Sequence, residues 1–275
     1  MLPSYVLALR EGLEAALIIG IVIGALRKFN RSELNNVVWV GLSSAAILSL
    51  LVAIILQSLG ASLEGGSEMV FEGLTMLLAT GVLTWMIFWM QHQARHIKTD
   101  LEAGVRQATL QAGRQALFLL AFTAVLREGI ELALFLTATA MASDAWQVLL
   151  GSLLGLGTSA LLGWSLFASL VKLDLRRFFQ ITGILLILFA AGLVAYSVHE
   201  FNQLGWIPAL VDHVWDINLI LGENTLFGSL LKALFGYNAD PSLTEVMAYL
   251  GYFAVIGIGL RWAAIKRPKP YPGLG

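Results

Sequence analysis

The sequence predicts an all-α integral membrane protein. Seven transmembrane helices form two inverted three-helix repeats plus a seventh helix, with the N-terminus outside and the C-terminus cytoplasmic. Three observations predict this. Of 275 residues, 58% are hydrophobic and 13% charged, with mean hydropathy +0.79, against roughly 45–50% and about 25% in a soluble domain. Seven stretches reach the length of about 20 apolar residues that a helix needs to cross a bilayer. A charged nine-residue motif occurs twice, 117 residues apart.

Composition excludes several classes. A water-soluble enzyme and a disordered chain are incompatible with so little charge. A basic nucleic-acid binder is excluded by the balance of 17 Lys+Arg against 18 Asp+Glu. With no Cys there is no disulfide framework, thiolate metal site or iron–sulfur cluster.

The apolar stretches cover 3–26, 37–59, 69–90, 116–141, 146–171, 178–198 and 244–265. None alternates in the ~10-residue pattern of a membrane strand. The first is read as a retained helix, because no Lys or Arg precedes Arg10 and because Arg10, Glu11 and Glu14 interrupt it where a signal peptide is apolar. The chain is a single membrane domain, 1–275. Residues 1–90 form the first repeat. Residues 91–115 are a cytoplasmic helical connection that continues the third helix to a turn near Gly113. Residues 116–198 form the second repeat. Residues 199–243 are an external loop, whose clusters Leu226-Phe227 and Leu230-Leu231 fit short helices on the membrane surface. The seventh helix, 244–265, precedes a tail, 266–275.

Basic residues set the orientation. Fourteen of the 17 fall in the connections 27–36, 91–115 and 172–177 and at the C-terminal end, among them Arg95, Lys98, Lys172, Lys266, Arg267 and Lys269. The opposite side has Lys232 alone, and Arg10 and Arg127 lie within helices. The N-terminus is therefore outside and the C-terminus cytoplasmic, in a multi-pass protein with the lipid bilayer as its solvent.

Residues 9–17 read Leu-Arg-Glu-Gly-Leu-Glu-Ala-Ala-Leu, and 126–134 read Leu-Arg-Glu-Gly-Ile-Glu-Leu-Ala-Leu. Each copy lies in the first helix of a three-helix set. Three is odd, so the second set enters from the opposite side, as in transporters built from inverted repeats around a midplane site. An ionisable residue in hydrocarbon costs at least ~2.5–3.5 kcal/mol, and six are gathered here. Glu11 and Glu14 share a helix face, as do Glu128 and Glu131. Arg10 pairs with Glu14, and Arg127 with Glu131, at i,i+4. Gly12 and Gly129 are expected to let the first and fourth helices cross closely. Four carboxylates and two guanidiniums carry a formal charge of −2, which a multivalent cation neutralises. Carboxylate oxygens suit hard cations. Glu11, Glu14, Glu128 and Glu131 are thus the candidate metal ligands, and Arg10 and Arg127 would orient them.

Glu72, one turn inside the third helix, is a further candidate ligand, and Glu68 an outer guide for the ion. An acidic outer face, with Glu64, Glu68, Asp144, Glu200, Asp212, Asp216, Glu223 and Asp240, raises local cation concentration. Trp85, Met86, Trp89 and Met90 read as an interfacial aromatic belt. Other readings of the acidic helices are a carrier of another hard divalent metal such as Mn(II) and a proton-conducting membrane subunit. The sequence has no His-Glu-x-x-His zinc motif and no apparent Ser/His/Asp constellation, so the protein is read as a non-enzyme.

The doubled Arg-Glu-Gly-Leu/Ile-Glu motif resembles that of the oxidase-dependent iron permease family, most closely its bacterial, EfeU-type branch. The likeness extends to Phe71-Glu72-Gly73, to Leu83-Thr84-Trp85-Met86 and Trp89-Met90, to Leu226-Phe227-Gly228 and Phe235-Gly236-Tyr237, and to Pro241-Ser242 with Glu245-Val246. It implies high-affinity uptake of iron across the cytoplasmic (inner) membrane, as Fe(III) or as Fe(II) after partner-coupled oxidation, with the motif glutamates as iron ligands. Iron is then the transported substrate, with no permanently bound cofactor. The implied partners are a periplasmic iron-binding protein and a haem peroxidase, without nucleic acid. The outer Glu-rich motif of fungal relatives has no counterpart here, so a multicopper oxidase partner is not expected.

Overall fold

In the computed structural model, the described residues are 1–93, 97–108, 113–168, 174–222, 225, 228, 231–232 and 235–265. They form helices and connections, with no strand among them. The helices are α1 (Leu2–Lys28), α2 (Asn35–Ala61), α3 (Gly66–Gln93), α4 (Ile97–Gln107), α5 (Gly113–Ala142), α6 (Ala145–Phe167), α7 (Leu175–Gln203), α8 (Asn218–Leu221) and α9 (Leu243–Ile265), with a 3-10 turn at Ser32–Leu34. Five segments, within α3, α6, α7 and α9 and across the 3-10 turn and α2, are long and apolar enough to cross a membrane. The two other long helices, α1 and α5, carry the charged motifs. Their 27 and 30 residues reach roughly 40 Å at 1.5 Å per residue.

Local chemistry sets the helix ends. Asp144 accepts from Gln147 N at 3.0 Å and starts α6. Asp174 does the same for α7 from Arg177 N at 3.2 Å. Ser242 and Glu245 form a reciprocal capping box at the start of α9. Gly113 opens α5 at φ 64°, a left-handed conformation that glycine adopts without strain. The third helix is described as far as Gln93, and α4 lies within the 91–115 connection, where it buries Val105 and salt-bridges Glu102 to Lys28 at 2.9 Å. Of the sequence readings, those on Arg95, Lys172, Glu223, Leu226-Phe227, Leu230, Lys266, Arg267 and Lys269 lie outside the described residues.

Packing is reciprocal. α1 lies along α6, α5 lies along α2, and α1 also meets α5. On α6 the small residues Gly151, Gly155, Ser159 and Gly163 repeat every four positions and face α1. On α2, Gly41, Ala45 and Ser49 repeat likewise and are buried, with Gly41 and Ser49 facing α5. Small stripes of this kind bring helix backbones together in membranes. Large side chains on the opposite faces, such as Ile47, Leu50 and Ile54 on α2 or Leu153 and Leu161 on α6, are exposed, as lipid contact requires.

Two apolar clusters form the interior. One joins Leu7, Met76, Leu83, Phe135, Leu186 and Leu193. The other joins Val22, Leu26, Val38, Val105, Leu117 and Ala121. Both α1 and α5 pass through both clusters, and each motif falls between them. The charged residues thus form a polar layer between two dry ones.

Candidate metal site

The site is built from α1 and α5. Glu11 of α1 with Glu128 and Glu131 of α5 can each bring a carboxylate oxygen within 4.8 Å of the others. Glu11 and Glu128 are buried, and Glu131 is partly so. Both oxygens of Glu11, and Oε2 of Glu128 and of Glu131, lack hydrogen-bond partners among the described residues. Unpartnered buried carboxylate oxygens are costly. Two unit charges about 4.8 Å apart repel by roughly 3–4 kcal/mol at an effective dielectric of 20. Oxygen donors left free and converging on one point are what a hard cation coordinates.

Each arginine pairs with a carboxylate of its own motif. Arg10 donates from Nε to Glu14 Oε1 at 3.1 Å, with both side chains buried. Arg127 donates from Nε to Glu131 Oε1 at 3.0 Å and lies 3.5 Å from Glu128 Oε1. The expected i,i+4 pairs are therefore present, and Arg127 also bridges back to its neighbour. Its guanidinium lies 4.2 Å from the centre of the Trp89 ring, within cation–π range.

The geometry differs from the expected ligand set in two residues. Glu14 stands beside the trio with one oxygen held by Arg10 and is not among its converging oxygens. Glu72 lies near Glu68 and Glu200. Along α3 it is roughly 15–26 Å from the residues that line a cleft with Glu131, and it is not among the converging carboxylates. Glu68 is exposed at the start of α3.

The glycines also act differently from the expectation. A Cβ at Gly12 would meet Ser159 of α6, and one at Gly129 would meet Ser49 of α2. They admit a neighbouring serine helix rather than each other. Ser49 and Ser159 direct their hydroxyls to Ala45 O and Leu156 O, both at 2.8 Å, so neither offers a free donor. The sequence reading missed Trp89, which read as a belt residue, and the two serines. The four-residue spacing of small residues on α2 and α6 was the available signal for the serines. Nothing local marks Trp89 as an arginine partner.

Comparison with known proteins decides the family. The iron permease FTR1 family matches residues 1–270. The chain belongs to the FTR1 iron permease family. It is 34% identical over 255 residues to the ferrous iron permease EfeU of Escherichia coli O6:K15:H31, covering 92% of each chain. The Shigella sonnei EfeU shows the same identity and coverage. The Yersinia pestis EfeU is 33% identical over 92% of this chain and 90% of its own. No solved structure matches. This FTR1-family protein is a transporter rather than an enzyme, and a multi-pass protein of the inner membrane that transports iron.

Proposed function

We propose that iron crosses through the carboxylate cluster of the two motif copies, with Glu11, Glu128 and Glu131 as ligands and Arg10 and Arg127 as the groups that orient the carboxylates. The observation that carries this is the convergence of three carboxylates from two helices within 4.8 Å. Glu14 completes the charge around the site. The four glutamates and two arginines sum to −2, so a divalent ion brings the layer to neutrality and a trivalent ion overshoots. That balance favours Fe(II) as the crossing form, and the EfeU relatives are named ferrous permeases.

In this reading all seven long helices span, with the N-terminus outside. Residues 1–90 and 116–198 are inverted repeats. The reciprocal packing of α1 on α6 and α5 on α2, with Gly12 against Ser159 and Gly129 against Ser49, supports that symmetry. Rocking of one repeat against the other would expose the cluster to each side in turn. Glu68, Glu72 and Glu200 form an acidic approach on the outer side, where a periplasmic iron-binding protein and a haem peroxidase would hand over iron.

The test is uptake of radioactive iron into proteoliposomes. Glu11→Gln and Glu128→Gln are expected to lose uptake on the order of 100-fold, at the upper end of what metal-site changes cost, with the protein still inserted and folded. Wild-type uptake in both variants would remove the cluster as the site. Competition by Mn(II) and Fe(III) against Fe(II) identifies the preferred ion.

A further inference from the structure

A cleft of about 130 Å3 lies between α3 and α5, lined by Val82, Trp85, Met86, Trp89, Arg127 and Glu131. Glu131 is also a member of the carboxylate trio, so the cleft adjoins the site. On the α1 side Arg10 and Glu14 are both buried. Arg127, by contrast, is 42% exposed in the middle of a long helix. A guanidinium facing hydrocarbon there is unfavourable, so the cleft must be filled by something polar. Its α3 wall lies toward the end of that helix opposite Glu68 and Glu72. The other face of α3 is covered, since Thr84 bonds Tyr252 at 2.9 Å and Phe88 packs near Gly259.

We propose that this cleft is a water-filled vestibule through which the transported cation leaves the cluster toward the cytoplasm, and that Arg127, clamped between Glu131 and Trp89, is its gate. In the present state the guanidinium occupies Glu131 Oε1 and rests on Trp89. A cation moving along Glu131 toward the cytoplasm meets that positive charge. Release requires the guanidinium to leave both the carboxylate and the Trp89 ring face, whose cation–π attraction holds the closed arrangement. Electrostatics thus keep the inner side closed until the ion displaces the arginine.

This inference rests on the reading of the cluster as the transport site, and the experiment separates the two. The chain has no cysteine, so single cysteines report without background. Val82→Cys and Met86→Cys are placed in the cleft and Leu50→Cys on the lipid-facing side of α2. A membrane-impermeant thiol reagent is added to inside-out and right-side-out vesicles, without iron. Thiol modification needs the thiolate, which forms in water and not in lipid, so the cleft cysteines should react roughly tenfold or more faster than Leu50→Cys, from the cytoplasmic side. No reaction, as expected if lipid or a second copy fills the cleft, overturns the vestibule, as does reaction from the outer side only. Trp89→Leu should speed release of loaded Fe(II) with its equilibrium affinity unchanged, and Trp89→Phe should restore slow release. Release unchanged in Trp89→Leu overturns the gate. Failure of the Glu11 and Glu128 variants to impair uptake would instead overturn the site while leaving cysteine accessibility as measured.

Discussion

Arg10 and Arg127 make the same bond, Nε to a glutamate four residues on, at 3.1 and 3.0 Å. Yet Arg10 is 1% exposed and Arg127 42%. Their glutamates differ likewise, Glu14 at 5% and Glu131 at 16%. The difference comes from the neighbours. α1 is enclosed by α6, whose glycine stripe admits it closely, while α5 also borders α3 across the aromatic-lined cleft. One motif sequence therefore yields a sealed structural half and an accessible half. A helix-local motif fixes a pairing, and the helices around it decide whether that pairing is a brace or a moving part.

The largest expected effects test what the copies share. Glu11 and Glu128 occupy equivalent motif positions and both belong to the trio, so their glutamine variants should lose iron uptake equally. Glu14→Gln should lose less than Glu131→Gln, because Glu14 lies outside the converging oxygens and Glu131 lies within them. Equal losses at Glu14 and Glu131 would erase the distinction between the halves.

Next come the arginines, where the copies should part. Removing Arg10 leaves Glu14 as an uncompensated buried charge, which costs roughly 3–5 kcal/mol in comparable buried pairs. Arg10→Ala should therefore lower the thermal midpoint and the folded yield. Arg127→Ala should retain folded protein, because its partners border a cleft that water can enter, and should instead alter transport. Thermal unfolding in detergent, followed beside uptake, separates a stability defect from a transport defect. A matching collapse in both variants would contradict the asymmetry.

Much of this was legible in the sequence, and the reasons differ by element. The helices long and apolar enough to cross a membrane, five among the described residues, follow from apolar length, since within lipid each backbone group must be satisfied inside its own segment. The Arg–Glu pairs follow from helical spacing. Which carboxylates converge does not follow from spacing, because Glu14 and Glu131 hold the same motif position and differ only through what packs beside them. The partners of Gly12 and Gly129 were misread for the same reason: a glycine marks close approach without naming the neighbour. Glu72, named for its place one turn inside the third helix, lies near Glu68 and Glu200 rather than among the converging carboxylates, and depth along α3 sets it apart. Trp89 reaches Arg127 across 38 positions of chain, and no local pattern encodes that.

A smaller effect tests the shared symmetry. A methyl at Gly12 or Gly129 would collide with Ser159 or Ser49 respectively. Overpacking of this kind typically costs about 1–3 kcal/mol. Gly12→Ala should be partly rescued by Ser159→Ala, and Gly129→Ala by Ser49→Ala, with similar size in both halves. Rescue in one half alone would show that the reciprocal packing is not energetically reciprocal.

The smallest effect falls outside both copies, in the segment between α7 and α9. Backbone bonds from Val214 to Pro241, Ile217 to Ala239 and Leu243 to Val211 stitch this segment together, and His213 Nδ1 reaches Asp240 at 2.7 Å. The hydrogen bond to Asp240, aided by the charges of Asp240, Asp212 and Asp216, raises the His213 pKa above the ordinary histidine value. Protonation is thus favoured in the folded segment, so the stabilisation is complete below the unfolded histidine pKa and is lost as pH rises through the folded one. Between about pH 6 and about pH 8.5, amide exchange at 211–217, corrected for intrinsic rates, should quicken in the wild type and not in His213→Asn. Iron affinity at the cluster should stay constant relative to that variant over the same range. A parallel shift in affinity would tie this segment to the motif helices, and the two copies could then no longer be treated as a unit independent of it.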